Sequence, residues 1–68
     1  MHVHLVVLHQ NHDPVATITY FRRRETAVRY AVKLAEEHGL VPLEGEAVTW
    51  HDGEKDSCVL YVTSKPLN

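Results

Sequence analysis

The stretch HVHLVVLHQNHDPVATITYF, residues 2–21, decides the fold. Residues 2–10 read as a strand, because Val3, Leu5 and Val7 point to one side and His4, Val6 and Leu8 to the other, the period of two that a strand imposes. Asn11-His12-Asp13-Pro14 is dense in turn formers: Asn and Asp bond their own backbone and proline sets its φ. Residues 15–21 are rich in β-branched and aromatic side chains and read as a second strand. Pairing Gln10 with Val15 across the turn sets Val7 opposite Ile18 and Leu5 opposite Tyr20. That register collects Val3, Leu5, Val7, Ala16, Ile18 and Tyr20 on one apolar face, the face expected to lie beneath a helix.

Working outward, the spacing predicts that helix over residues 24–38. Ala27, Tyr30, Ala31, Leu34, Ala35 and His38 recur at steps of three and four and make one stripe. The alanines allow a close approach to a sheet. Gly39 followed by Leu40 is a stop signal, glycine taking the left-handed position and leucine folding back onto the last turn. Residues 41–46, with Pro42 and Gly45, read as a loop. Residues 47–51 and 58–63 read as two further strands. A tight turn at Asp52-Gly53 would set Trp50 against Lys55, whereas a five-residue loop pairs Trp50 with Cys58 and Val48 with Leu60, which keeps an apolar face intact. Residues 64–68 read as a tail.

The expected fold is therefore α+β: a ββαββ unit over residues 1–68, with a four-stranded, mainly antiparallel sheet and one helix packed on one face. A right-handed crossover makes the first strand central, in the order 2-1-3-4 or 2-1-4-3.

Composition narrows the function. The chain has 68 residues, 44% of them apolar. A domain of this size buries only roughly 60% of its unfolded surface, and such domains often gain stability by binding metal or self-associating. Cys58 is the only cysteine, which suits a reducing, cytoplasmic setting better than secretion. Neither a signal-peptide pattern nor an apolar run long enough to span a membrane is present in the sequence. Seven basic against nine acidic residues give a net charge of −2, which argues against general affinity for nucleic acid.

Six histidines stand out, four of them (His2, His4, His9 and His12) near the start. Imidazole is a common metal ligand and titrates near neutral pH. Alternation puts His2 and His4 on one face as a weak candidate metal pair, with His9 on the other and His12 in the turn. Zinc normally wants four ligands with thiolates, so no metal or other cofactor is expected. His2 and His4 are better read as markers of an interface whose pH response would come from their protonation.

The face expected to be left uncovered carries His2, His4, Val6, Leu8, Thr17, Thr19, Phe21, Val59, Tyr61 and Thr63. Of these, His4, Val6, Leu8, Phe21, Val59 and Tyr61 are the candidate partner or dimer interface, a patch of the size that marks interaction sites. A homodimer is the favoured assembly, by that face or by edge pairing. Arg22, Arg23 and Arg24 at the helix start, with Arg29 beyond, form the candidate anion site: arginines beside free backbone N–H groups suit phosphate or carboxylate. Glu44, Glu46, Asp52, Glu54 and Asp56 gather in the second half and would suit a basic partner. Trp50 reads as a core anchor. Cys58 shares the core-facing parity of Leu60, where a thiol is inert, and His51-Asp52 adjacency does not orient a triad, so no enzymatic activity is expected.

In size and form this unit looks like the small proteins with which phages and mobile elements bind and block host machinery. That resemblance implies a cytoplasmic, non-enzymatic module whose partner is a protein. The alternatives are a small nucleic-acid-binding or regulatory protein using Arg22 to Arg24 and the exposed helix face, and a metal-binding domain on His2 and His4.

Overall fold

The computed structural model describes residues 1–10, 15–45, 48–53 and 57–66. Their elements are β1 (His2–Gln10), β2 (Thr17–Phe21), α1 (Arg24–Glu37), β3 (Val41–Pro42), β4 (Thr49–His51) and β5 (Cys58–Pro66). The strands form one five-stranded antiparallel sheet in the order β2-β1-β5-β4-β3. The small α+β class and the single helix agree with the sequence reading. The sheet has one strand more than expected: Val41–Pro42, read as loop, pairs with His51 and Trp50. Two residues ending in a proline carry no alternation, and that hides the strand in the sequence.

Of the two strand orders left open, the structure adopts the one that centres the last strand. β1 and β5 pair along nine residues each, from His2↔Pro66 to Gln10↔Cys58. Residues 64–66, read as tail, thus belong to β5. The first hairpin has the register anticipated, with Val7 opposite Ile18 and Leu5 opposite Tyr20. The second is shifted by two residues, Trp50 facing Leu60 rather than Cys58. A shift of two preserves which side chains share a face, so Trp50, Cys58 and Leu60 still lie together. The turn at residues 11–14 lies outside the described residues.

On β1 and β2 the helix covers the face opposite to the one expected, whereas on β4 and β5 it covers the expected one, with Trp50, Cys58 and Leu60. Ala27, Ala31 and Ala35 pack with Val6, Leu8, Leu40 and Leu60, and Phe21, Leu34, Trp50, Cys58 and Val62 close around them. The physical reason lies in the row Leu8–Leu60–Trp50, continuous across β1, β5 and β4. It supplies the broadest apolar floor, and the alanine stripe lets the helix axis settle close upon it. Phe21, on the same face, packs against Tyr30 of the helix in a tilted ring contact with centroids 5.2 Å apart.

The helix ends are unequal. Arg23 is the N-cap, with an extended backbone and no side-chain cap hydrogen bond. At the other end Gly39 takes φ 67°, its N–H donates to the Glu36 carbonyl, and the Leu40 N–H donates to the Ala35 carbonyl at 2.8 Å. This is the two-bond closure that a left-handed glycine permits, and it buries Leu40 in the core. Val48 enters β4 with φ 46°, an outlier for a β-branched residue, and its carbonyl accepts the Val62 N–H at 3.1 Å.

Candidate functional site

The helix-free face is read from the same registers. Three rows cross it: Tyr20–Leu5–Thr63, Ile18–Val7–Tyr61–Thr49 and His9–Val59–His51–Val41. Leu5 and Val7 are buried, and neither belongs to the cluster under the helix. On β1, Leu5 lies between Tyr20 and half-buried Thr63, and Val7 between Ile18 and Tyr61. Three of these four neighbours are open: Ile18 is 45% exposed, Tyr20 64% and Tyr61 37%. Val41 is likewise exposed at the far edge. The face that the described sheet turns away from its helix thus presents a buried aliphatic floor flanked by exposed aromatic and aliphatic side chains.

This relocates the predicted interface. Val59 and Tyr61 do lie on the helix-free face. Val6, Leu8 and Phe21 do not; they are core residues packed beneath α1, and His4 shares their face. Their places on the open side are taken by Leu5, Val7, Ile18 and Tyr20, which the sequence reading had assigned to the core. Because β1 is apolar at both parities, alternation alone does not distinguish its two faces.

The histidines separate as their parity requires. His2 and His4 share a face, but it is the helix side rather than the open side. His4 Nδ1 and Ser64 Oγ are 2.7 Å apart, a hydrogen bond whose donor is set by the imidazole tautomer. His4 thus has a structural partner across β1 and β5. His9 and His51 stand on the open face on either side of Val59. Among the described residues no group of three or more His, Cys, Asp or Glu is placed to hold a metal ion. His12 lies outside the described residues.

Arg22, Arg23, Arg24 and Arg29 are all exposed. Arg22 lines a cleft of about 290 Å³ with Met1, His2 and Val3, at the end of the sheet where β2 gives way to the helix. Of the acidic group, Glu44 is exposed, while Glu46, Glu54 and Asp56 lie outside the described residues. Asp52 is occupied: the Ser57 N–H donates to its Oδ1 at 2.9 Å and to Oδ2 at 3.1 Å, and the Ser57 hydroxyl donates to Oδ2. The Ser57 hydroxyl, aided by the backbone N–H groups of Ser57 and Cys58, holds the Asp52 carboxyl below the usual aspartate range. The neighbouring Cys58 thiol is pushed up by burial and then by the Asp52 charge, which suppresses the reactive thiolate.

No helix among the described residues is long and apolar enough to cross a membrane. Comparisons with protein-family models, curated proteins and solved structures find nothing that matches this chain.

Proposed function

We propose that this chain is a small, non-enzymatic binding module that acts by protein–protein contact through the helix-free face of its sheet. The observation that carries the reading is the composition of that face: Ile18, Tyr20 and Tyr61 stand exposed around buried Leu5 and Val7. Single exposed apolar residues are ordinary, but here Ile18 and Tyr20 on β2 and Tyr61 on β5 flank Leu5 and Val7 of the strand between them, grouping them on one face as interaction patches are grouped. Tyrosine is favoured at the energetic centres of interfaces, because it offers large apolar area, a polar tip and few rotors to freeze. Such a face acts by occlusion, occupying a surface that its partner uses for something else. Extending the reading to an inhibitor carried by a phage or mobile element rests on size and form alone.

The test is capture from a lysate of the source cells with three baits: the wild type, a Tyr20→Asp/Tyr61→Asp variant and an Arg22→Ala/Arg23→Ala/Arg24→Ala variant. The expected result is a protein retained by the first and third and lost by the second. Retention that follows the arginines, with salt-sensitive binding to heparin, would replace this reading with an anionic partner. Recovery of no protein by any bait would also count against it.

A further inference from the structure

We propose that β2 is a self-association edge: two copies pair β2 with β2 in antiparallel fashion about a two-fold axis through Thr19, joining two five-stranded sheets into one. This goes beyond the open-face reading and does not depend on it.

The two edges of the sheet are built differently. On one side stands β3, only Val41–Pro42, where the proline lacks an N–H and the shortness leaves little ladder to extend; natural sheets blunt an edge in this way. On the other stands β2, Thr-Ile-Thr-Tyr-Phe, five good strand formers with no charge, proline or glycine. Among the described residues no strand pairs with its outer side. One protected and one unprotected edge suit a closed pair. Once two β2 strands have met, only blunted β3 edges face outward, so growth stops at two copies and no fibre forms.

The sequence of β2 is self-complementary in one register. Centring the pair on Thr19 sets Ile18 against Tyr20 of the second copy, twice, and uses all five residues. Aliphatic–aromatic cross-strand pairs are favourable, and these two residues are left strongly exposed in the single chain. The centred register matches the odd-numbered residues with each other and the even-numbered with each other. Whichever alternate set turns its backbone groups outward therefore meets its own counterpart, giving about four to six hydrogen bonds. Slipping the centre to Ile18 or Tyr20 leaves part of β2 without a strand partner.

Charge agrees with the centred register. It sets Arg22 opposite Ala16 of the second copy, so the two Arg22 positions lie six residues apart along the strands, about 20 Å at strand rise. That exceeds the screening length of about 8 Å at physiological salt. Centring on Tyr20 would bring Arg22 opposite Ile18 and draw the two arginine runs together.

The experiment is sedimentation of the full chain with site-directed cross-linking in a Cys58→Ala background. In the centred register the two Thr19 Cα atoms lie about 4.5–5.5 Å apart, within disulfide reach. Expected are a particle of twice the chain mass, rapid disulfide dimerisation of Thr19→Cys under mild oxidation, and none for Thr49→Cys. Tyr61→Asp, away from the edge, leaves the mass doubled even if it abolishes capture of a partner protein, which separates this proposal from the open-face reading. A monomer at every concentration, a dimer that Thr19→Cys does not link, or a dimer lost on Tyr61→Asp would overturn it.

Discussion

Leu5 and Tyr20 face each other across β1 and β2 on the same side of the sheet, yet Leu5 is 4% exposed and Tyr20 64%. The difference comes from position. Leu5 sits on an inner strand with a neighbour on each side, Tyr20 on an edge strand with one. The first belongs to stability and the second to contact. Leu5→Ala is expected to cost about 2–5 kcal/mol, the range for emptying a packed aliphatic site. Within the single chain Tyr20→Ala is expected to cost no more than about 0.5 kcal/mol, as surface changes do, any further loss tracing to self-association and therefore falling away on dilution. Urea midpoints of the two variants check this.

Gly39→Ala is expected to destabilise the protein by about 1–2 kcal/mol. At φ 67° a side chain meets the left-handed penalty, although the space around the glycine is open. Thermal unfolding measures the loss, and an asparagine at the same position should recover part of it, since asparagine tolerates this region best after glycine.

At the opposite end of the helix a gain is available. Arg23 caps α1 without a side-chain hydrogen bond, and its positive charge opposes the helix dipole. Arg23→Asp supplies an acceptor for the free N–H groups and a charge of the right sign, and should stabilise by about 1 kcal/mol. An unchanged or lower melting temperature would contradict this account of the helix start.

The Asp52–Ser57 clamp closes the connection from β4 to β5, and it should make stability pH-dependent in one direction. The folded Asp52 carboxyl is held below its ordinary range by Ser57. Its stabilising contribution is therefore present above the ordinary aspartate value and is lost as acid protonates the folded carboxylate, below about pH 4. Ser57→Ala should bring the Asp52 titration back toward the ordinary range, and Asp52→Asn should remove that part of the acid dependence. Denaturant midpoints at neutral and acid pH, with carboxyl titration by NMR, test both.

Much of this architecture was legible in the chain because local chemistry specified it. The Val7–Ile18 and Leu5–Tyr20 register followed from alternation and a turn-rich tetrad, and the helix end followed from Gly39-Leu40. The choice of face was not legible. Val3, Leu5 and Val7 are as apolar as Val6 and Leu8 together, so β1 offers a helix two acceptable sides. The signal that decides it is distributed: Leu8, Leu60 and Trp50 become one row only after β1 has paired with β5 and β5 with β4. The shift in the second hairpin reflects the connection that Asp52 and Ser57 close, which is longer than the five residues that alternation suggested. The face error is confined to β1 and β2, so His4, Val6, Leu8 and Phe21 drop out of the candidate interface, while Val59 and Tyr61, on the strand whose facing was read correctly, remain on the open side.

The account turns on which surface meets another protein, and photo-cross-linking in the source cells tests it most directly. With benzoylphenylalanine in place of Tyr61 on the open face, a cross-link to a partner protein is expected; in place of Lys33, exposed on the helix, none is expected. A partner captured from Lys33 and not from Tyr61 would contradict the assignment of function to the helix-free face.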